Sequence, residues 1–226
     1  MKKINFKVFC LCYLALVLIG IFTTFIRDSI SVSSLPVNKK HIIIDAGHGG
    51  ADPGKVQGDI NEKDINLEIS NLLCKYLQQS GAIVFQTRAD DTALDESKRR
   101  DLKLRRQLVA NDEVDMLISI HQNSFPKESV RGAQVFYNKN SEASKELAEF
   151  IQKRLKEVAD TNNTRLPKAN NDYYILKDTD KASVIVECGF LSNPEEKQNL
   201  LDEEYQERLA WAIYMGILDY FGDSVI

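Results

Sequence analysis

From His41 onward, short apolar runs alternate with stretches of helical periodicity. HIIID begins at His41 and is continuously apolar up to its aspartate, the pattern of a strand covered on both faces. The next segment, AGHGGADPGKVQGD, is rich in glycine and interrupted by Pro53, which predicts a loop. Ile65, Ile69, Leu72, Leu73, Tyr76 and Leu77 then mark one helical face, and Gly81 is placed to end that helix. AIVFQT is a second predicted strand. Lys98 to Asn111 is a predicted helix with Leu104 and Leu108 on one face, MLISI a third strand, and AQVFY after Gly132 a fourth. A helix is expected from Ser144 to Ala159, with Leu147, Ile151, Leu155 and Val158 facing inward. YYIL predicts a short strand and SVIVE a buried one. The C-terminal stretch is helical, opened by Asn193 as N-cap, Pro194 at the first position, and Glu195 and Glu196 in the first turn. This alternation predicts an α/β fold: a single domain with a mostly parallel, twisted sheet covered by helices on both faces.

The first forty residues follow another rule. Lys2, Lys3 and Lys7 precede VFCLCYLALVLIGIFTTFI, an apolar run of about 19 residues that is long enough to cross a bilayer. Positive charge ahead of the run predicts a cytoplasmic N-terminus and an exported C-terminal domain. Residues 1–27 are therefore expected to be a signal peptide or an uncleaved signal anchor. The length of the run and the lack of an A-x-A site favour the anchor. Residues 28–40, containing Pro36, are expected to be a polar linker, and residues 41–222 the folded domain.

Composition narrows the partners. The 226 residues suffice for one good-sized α/β domain. A net charge of −4, spread over helix-like stretches, gives no electrostatic case for nucleic acid. Cys10 and Cys12 belong to the apolar run, while Cys74 and Cys188 fall on a predicted helix and a strand end. These last two predict buried thiols and no bridge.

The chain has three histidines, and two directly follow buried-strand patterns: His48 after HIIID and His121 after MLISI. A third such strand ends on Glu187. Ligands of open α/β sheets bind at the C-terminal ends of the strands, so these three side chains are expected to share one crevice. Imidazole and carboxylate oxygen together point to zinc. The glycines around His48 match no phosphate-loop pattern. His41 sits at the wrong end of its strand to join. For the third ligand Asp45, Asp52, Glu62, Asp64 and Glu187 compete, and spacing does not choose among them. Asp45 is a candidate to orient His48 from behind. A glutamate ending an apolar strand needs a cation or a proton-transfer role, which makes Glu187 a candidate general base. Cys188 should point to the opposite face, into the core. Arg88 is a candidate for substrate contact or for a structural role.

The motifs IDAGHGGADPG, NEKDINL, LISIHQNS and VIVECGFLSN, in this order, resemble the zinc-dependent N-acetylmuramoyl-L-alanine amidases of the type-3 class. The similarity spans nearly all of His41 to Phe221. It implies that His48, Glu62 and His121 bind Zn2+, that Glu187 is the catalytic glutamate, and that Asn123 lines the substrate site, although Asn123 could equally cap a turn. The implied substrate is peptidoglycan, cut between N-acetylmuramic acid and L-alanine. A single apolar segment ahead of a compact domain is similar to the germination-specific branch, which implies removal of stem peptides from spore cortex before muramic lactam forms. No inserted helix plugging the site is expected between His121 and Glu187, so control is expected from timing, location or a separate partner protein. Two rival functions are a zinc peptidoglycan carboxypeptidase, whose H-x-x-E spacing is absent, and a catalytically inactive wall-binding module, which would not need Glu187.

Overall fold

The computed structural model describes residues 13–17, 35–177 and 179–223. The elements from β1 to β4 are β1 (His41–Ala46), the small hairpin β2 (Val56–Gln57) and β3 (Ile60–Asn61), α1 (Glu62–Gln79) and β4 (Ile83–Gln86). They are followed by α2 (Lys98–Val109), β5 (Met116–Asn123), β6 (Gln134–Tyr137) and α3 (Glu142–Arg154), which runs into a π-helical turn over Leu155–Ala159. The remainder comprises β7 (Lys168–Ala169), a 3-10 turn over Tyr174–Leu176, β8 (Ala182–Phe190), α4 (Pro194–Leu200) and α5 (Glu203–Asp223). Six strands form one sheet in the order β4-β1-β5-β8-β6-β7. The four strands β4, β1, β5 and β8 run parallel, and β6 runs antiparallel to β8.

Side chains alternate across a strand, and here the alternation separates two cores. Ile42, Ile44, Met116, Ile118, Ile120, Val184, Val186 and Cys188 face the larger core, with Ile69 and Leu73 of α1, Ile151 of α3 and Ile213 of α5. Ile43, Leu117 and Ile185 face a smaller one, closed by Val109 of α2 and by Ile175 and Leu176. The same parity continues on the smaller side through Asp45, Ser119, His121 and Glu187, so the polar residues at the strand ends share one face. Cys74 and Cys188 are free, buried thiols.

Four expectations need correction. Leu104 and Leu108 are 37% and 43% exposed; the buried face of α2 is instead Arg105 and Val109, because Arg105 reaches a carboxylate on the sheet. YYIL is a 3-10 turn rather than a strand, as Ile175 and Leu176 fill the small core from a tight bend with no strand pairing. The strand carrying SVIVE does not end at Glu187 but continues through Phe190. Part of the expected linker belongs to the domain, since Val37 is fully buried and Lys39 donates to the carbonyl of Gly81 at 2.8 Å. α3 begins at Glu142, capped by Ser141, whose hydroxyl accepts from the Ser144 amide.

Among the described residues no helix is long and apolar enough to cross a membrane. The apolar run ahead of Asp28 lies, apart from residues 13–17, outside the described residues.

Candidate active site

β1 ends at Ala46, and the chain turns sharply to present His48, which adopts a left-handed conformation (φ 64°) that residues other than glycine rarely take. Two buried guanidinium groups hold it there. Arg88 donates to the carbonyls of Ala46 (2.9 Å) and Gly47 (3.1 Å). Arg105 donates to Ala46 (2.8 Å) and to His48 itself (2.7 Å). Three consecutive carbonyls are thus fixed by side chains from outside the loop. Arg105 is in turn fixed by Asp45 and Asp101, each at 2.7 Å, while Asp45 also accepts from Ser119 and Thr87. Burial pushes the Asp45 carboxyl up, but the Arg105 charge and the Ser119 hydrogen bond outweigh it and keep Asp45 ionised.

Asp45 therefore does not orient His48; it anchors the arginine that holds His48's backbone. The ring is oriented by Asp52, whose Oδ2 lies 2.9 Å from His48 Nδ1 and whose Oδ1 accepts from Lys98 at 2.5 Å. Burial opposes ionisation of Asp52, yet hydrogen bonds from His48 and Lys98 lower its pKa to about 2. Arg88, 4% exposed, is a structural residue of the loop and does not line the groove.

Glu62 is the first residue of α1 and is 4% exposed. Its Oε2 accepts from the Lys55 amide at 2.8 Å. Its Oε1 lies 3.2 Å from His48 Nε2 and 2.9 Å from His121 Nδ1, and accepts from the Gln122 amide at 3.1 Å. One ligand atom from each of His48, Glu62 and His121 falls within 4.8 Å of the other two. Two imidazole nitrogens and a carboxylate oxygen converging in this way form a set suited to a metal ion. Burial penalises charge here too, but the two histidines hold the Glu62 carboxyl far below the usual carboxylate range. For His121, burial pulls the pKa down and is outweighed by the Glu62 hydrogen bond and charge, which push it up to about 9.

Two glycines leave the space these side chains fill. A Cβ on Gly47 would lie 2.2 Å from His121 Cε1, and one on Gly54 would meet Glu62 Oε2 and His48 Cδ2 at 2.6 Å. Gly54 also has φ +68°, so its freedom is needed twice over.

Glu187 stands beside His121 in the parallel register of β5 and β8. It is 8% exposed, and burial pushes its pKa up, with the His121 charge opposing. The Tyr173 hydroxyl lies 3.4 Å from Oε1, whereas Oε2 is buried with no hydrogen-bond partner among the described residues. An unpartnered buried carboxylate oxygen requires a reason, and a groove for a reacting water supplies one. That groove has a volume of about 340 Å³ and is bordered by His48, His121, Glu187, Leu102, Tyr173 and Tyr174.

The structure brings His48, Glu62, His121 and Glu187 together. Asn123 does not border the groove, and its Oδ1 accepts from the Ser124 amide at 2.8 Å, as a turn-capping side chain would. Sequence reasoning missed Arg105 and Tyr173. A charged residue about a quarter turn from the leucines of α2 was the only signal for the first, and none marked the second.

A parallel sheet bearing this donor set beside a buried glutamate defines a hydrolase of the α/β class. The chain belongs to the N-acetylmuramoyl-L-alanine amidase family, which it matches over residues 42–219. It is 36% identical to the germination-specific N-acetylmuramoyl-L-alanine amidase of Bacillus subtilis (strain 168), over 99% of this chain and 97% of that protein. Among solved structures it is similar to the CwlD amidase of Clostridioides difficile in complex with the GerS lipoprotein (TM-score 0.79, 44% identity, 82% of this chain and 100% of that one). The catalytic domain of the amidase CwlV from Bacillus (Paenibacillus) polymyxa var. colistinus gives a TM-score of 0.73 at 32% identity, over 81% of this chain and 98% of that one.

Proposed function

We propose that this protein is a zinc-dependent amidase of spore-cortex peptidoglycan that removes whole stem peptides by cutting between the lactyl group of N-acetylmuramic acid and L-alanine. The observation that carries this reading is the free, buried Oε2 of Glu187 on the same sheet face as His121. His48, Glu62 and His121 would hold the ion. Bound zinc supplies Lewis acidity, polarising the amide carbonyl and acidifying a water in the groove. Glu187 takes the proton of the attacking water on Oε2. Tyr173 steadies the other oxygen. Glu187 then returns the proton to the departing amine of L-alanine. Asp52 keeps the His48 ring turned towards Glu62, and the two arginines keep its backbone in place.

The basic start and apolar run at the N-terminus support an exported site of action, either tethered to the membrane or released after cleavage. A separate accessory protein is part of the proposal. A relative was solved with a lipoprotein partner, and here no inserted helix covers the groove among the described residues.

The test is a digest of cortex peptidoglycan by the zinc-loaded protein and by Glu187→Ala, read by mass spectrometry. Intact free stem peptides from the wild type alone support the reading. Release of single terminal amino acids would indicate a carboxypeptidase, and no product with retained wall binding would indicate a binding module.

A further inference from the structure

A second cavity, of about 200 Å³, adjoins the catalytic groove and is bordered by Lys103, Arg106, Gln107, Tyr174 and Lys177. The chain as a whole carries −4, yet the charged groups among the described residues that border this cavity are Lys103, Arg106 and Lys177, of which Arg106 already has a partner. Helical geometry accounts for the placement. Positions 98, 101, 102 and 105 of α2 turn towards the catalytic groove, and positions 103, 106 and 107 form the next strip around the helix. Most cations of the groove strip are committed: Lys98 pairs with Asp52, and Arg105 with Asp45 and Asp101. Lys103 and Lys177 make no ion pair with any described residue.

Tyr174 joins the two spaces, since its ring borders both and lies under the Arg106 guanidinium at 4.8 Å. Its neighbour Tyr173 touches Glu187. The basic cavity therefore begins one residue along the chain from the group placed at the scissile bond. Exposed Leu102 lies on the way and offers apolar contact. On the other side of Lys98, the cavity beside Gly49 and Gly50 is bordered by Asp91 and Asp95, paired with Lys63 and Arg100, and by Glu96, which pairs with no described cation. Such a surface offers oxygen acceptors and a residual negative charge, which suits sugar hydroxyls and repels anions.

We infer that the cavity around Lys103 and Lys177 is the subsite for the stem peptide's carboxylates, so that the groove holds its substrate in one direction, with glycan towards Gly49 and peptide towards Tyr174. This rests on the amidase reading above. An extended chain advances about 3.3–3.6 Å per residue, so a stem peptide running from the cut amide beside Tyr173 past Tyr174 would bring residues beyond L-alanine to this cavity. At the second residue, a γ-linked glutamate presents a free α-carboxylate.

The test uses the purified full-length protein and the free stem tripeptide L-alanyl-γ-D-glutamyl-diaminopimelate, titrated by NMR against the same peptide with the glutamate carboxylate converted to a primary amide. The wild type is expected to bind the acid about tenfold more tightly than the amide, as two partly exposed ion pairs would give. Charge reversal in Lys103→Glu/Lys177→Glu should abolish that preference, and Lys75→Glu, an exposed site on α1, should retain it. Equal binding of acid and amide by the wild type, no binding of either, or a preference that survives the double reversal would each overturn the subsite. Failure of the wild type to release stem peptides from glycan would sink the amidase reading instead, and the peptide titration would still decide the subsite.

Discussion

Arg105, on α2, donates a 2.7 Å hydrogen bond to the backbone carbonyl of His48, fifty-seven positions earlier in the chain. The contact matters because His48 sits in a left-handed conformation that its own side chain does not favour. The fork geometry of a guanidinium allows one residue to bind Asp45, Ala46 and His48 together, which an ammonium group cannot reproduce. Arg105→Lys is therefore expected to weaken zinc affinity roughly 10–100-fold, as loss of supporting contacts around metal ligands typically does. Chelator competition measures it. Arg105→Ala strands the buried Asp45 charge and should destabilise the fold by about 3–5 kcal/mol in urea denaturation.

Gly47→Ala tests the space taken by the His121 ring. The new methyl would overlap that ring, so His121 must swing away from Glu62. Overpacking of this kind costs about 1–3 kcal/mol of stability. Metal binding should suffer far more than folding does. A variant that binds zinc like the wild type would show that the ring is not held where the structure places it.

The metal-free protein should respond to pH through His121 and Glu62. The folded-state pKa of His121 is raised to about 9, so its contribution to stability is fully present below its ordinary value near 6.5 and is lost as pH rises through about 9. Glu62 is shifted downward, so its contribution is present above the ordinary carboxylate range and is lost on acidification. Urea midpoints of the metal-free protein should therefore fall between about pH 6.5 and 9. If His121 holds the ion as proposed, its ligand nitrogen must shed its proton when zinc binds, and this alkaline decline should then disappear. A midpoint that stays flat in the metal-free protein over that range would contradict the His121–Glu62 pairing.

Glu187→Gln preserves shape and removes the proton acceptor. Turnover should drop by about 10²–10⁴-fold, with zinc affinity nearly unchanged. Burial raises the Glu187 pKa, so in the metal-free protein the carboxylate opposes folding at neutral pH. The same variant should therefore melt at a higher temperature than the wild type when both are stripped of metal, a conflict between activity and stability expected at a working site. Calorimetry of the two metal-free proteins at pH 7 decides it.

The sheet was legible in the sequence because HIIID, MLISI and SVIVE are apolar on both faces, which only covered strands require. His48, His121 and Glu187 could be placed from those strands alone. Glu62 could not, because it reaches the site from the start of a helix, and nothing in its spacing from His48 measures the intervening hairpin. Helix α2 misled for a physical reason. Amphipathic patterns assume that the apolar side is the buried one, but here the sheet offers a carboxylate, Asp45, and the helix answers with Arg105 while Leu104 and Leu108 face outward. YYIL has the composition of a strand, yet its two apolar residues plug a small core from a bend. Asp52, which orients His48, was one carboxylate among several until the loop was folded.

The pairing of His121 with Glu187 across β5 and β8 has a wider consequence. Neighbouring parallel strands lie at a spacing fixed by their hydrogen bonds, about 4.7–4.9 Å, so the backbone separation of Glu187 and His121 is a lattice constant of the sheet. Glu62 rides on a helix and His48 on a loop, yet both are tied back to that lattice, Glu62 through the Gln122 amide and His48 through Arg105 to Asp45. The donor set and Glu187 are thus referred to one rigid frame, the sheet itself.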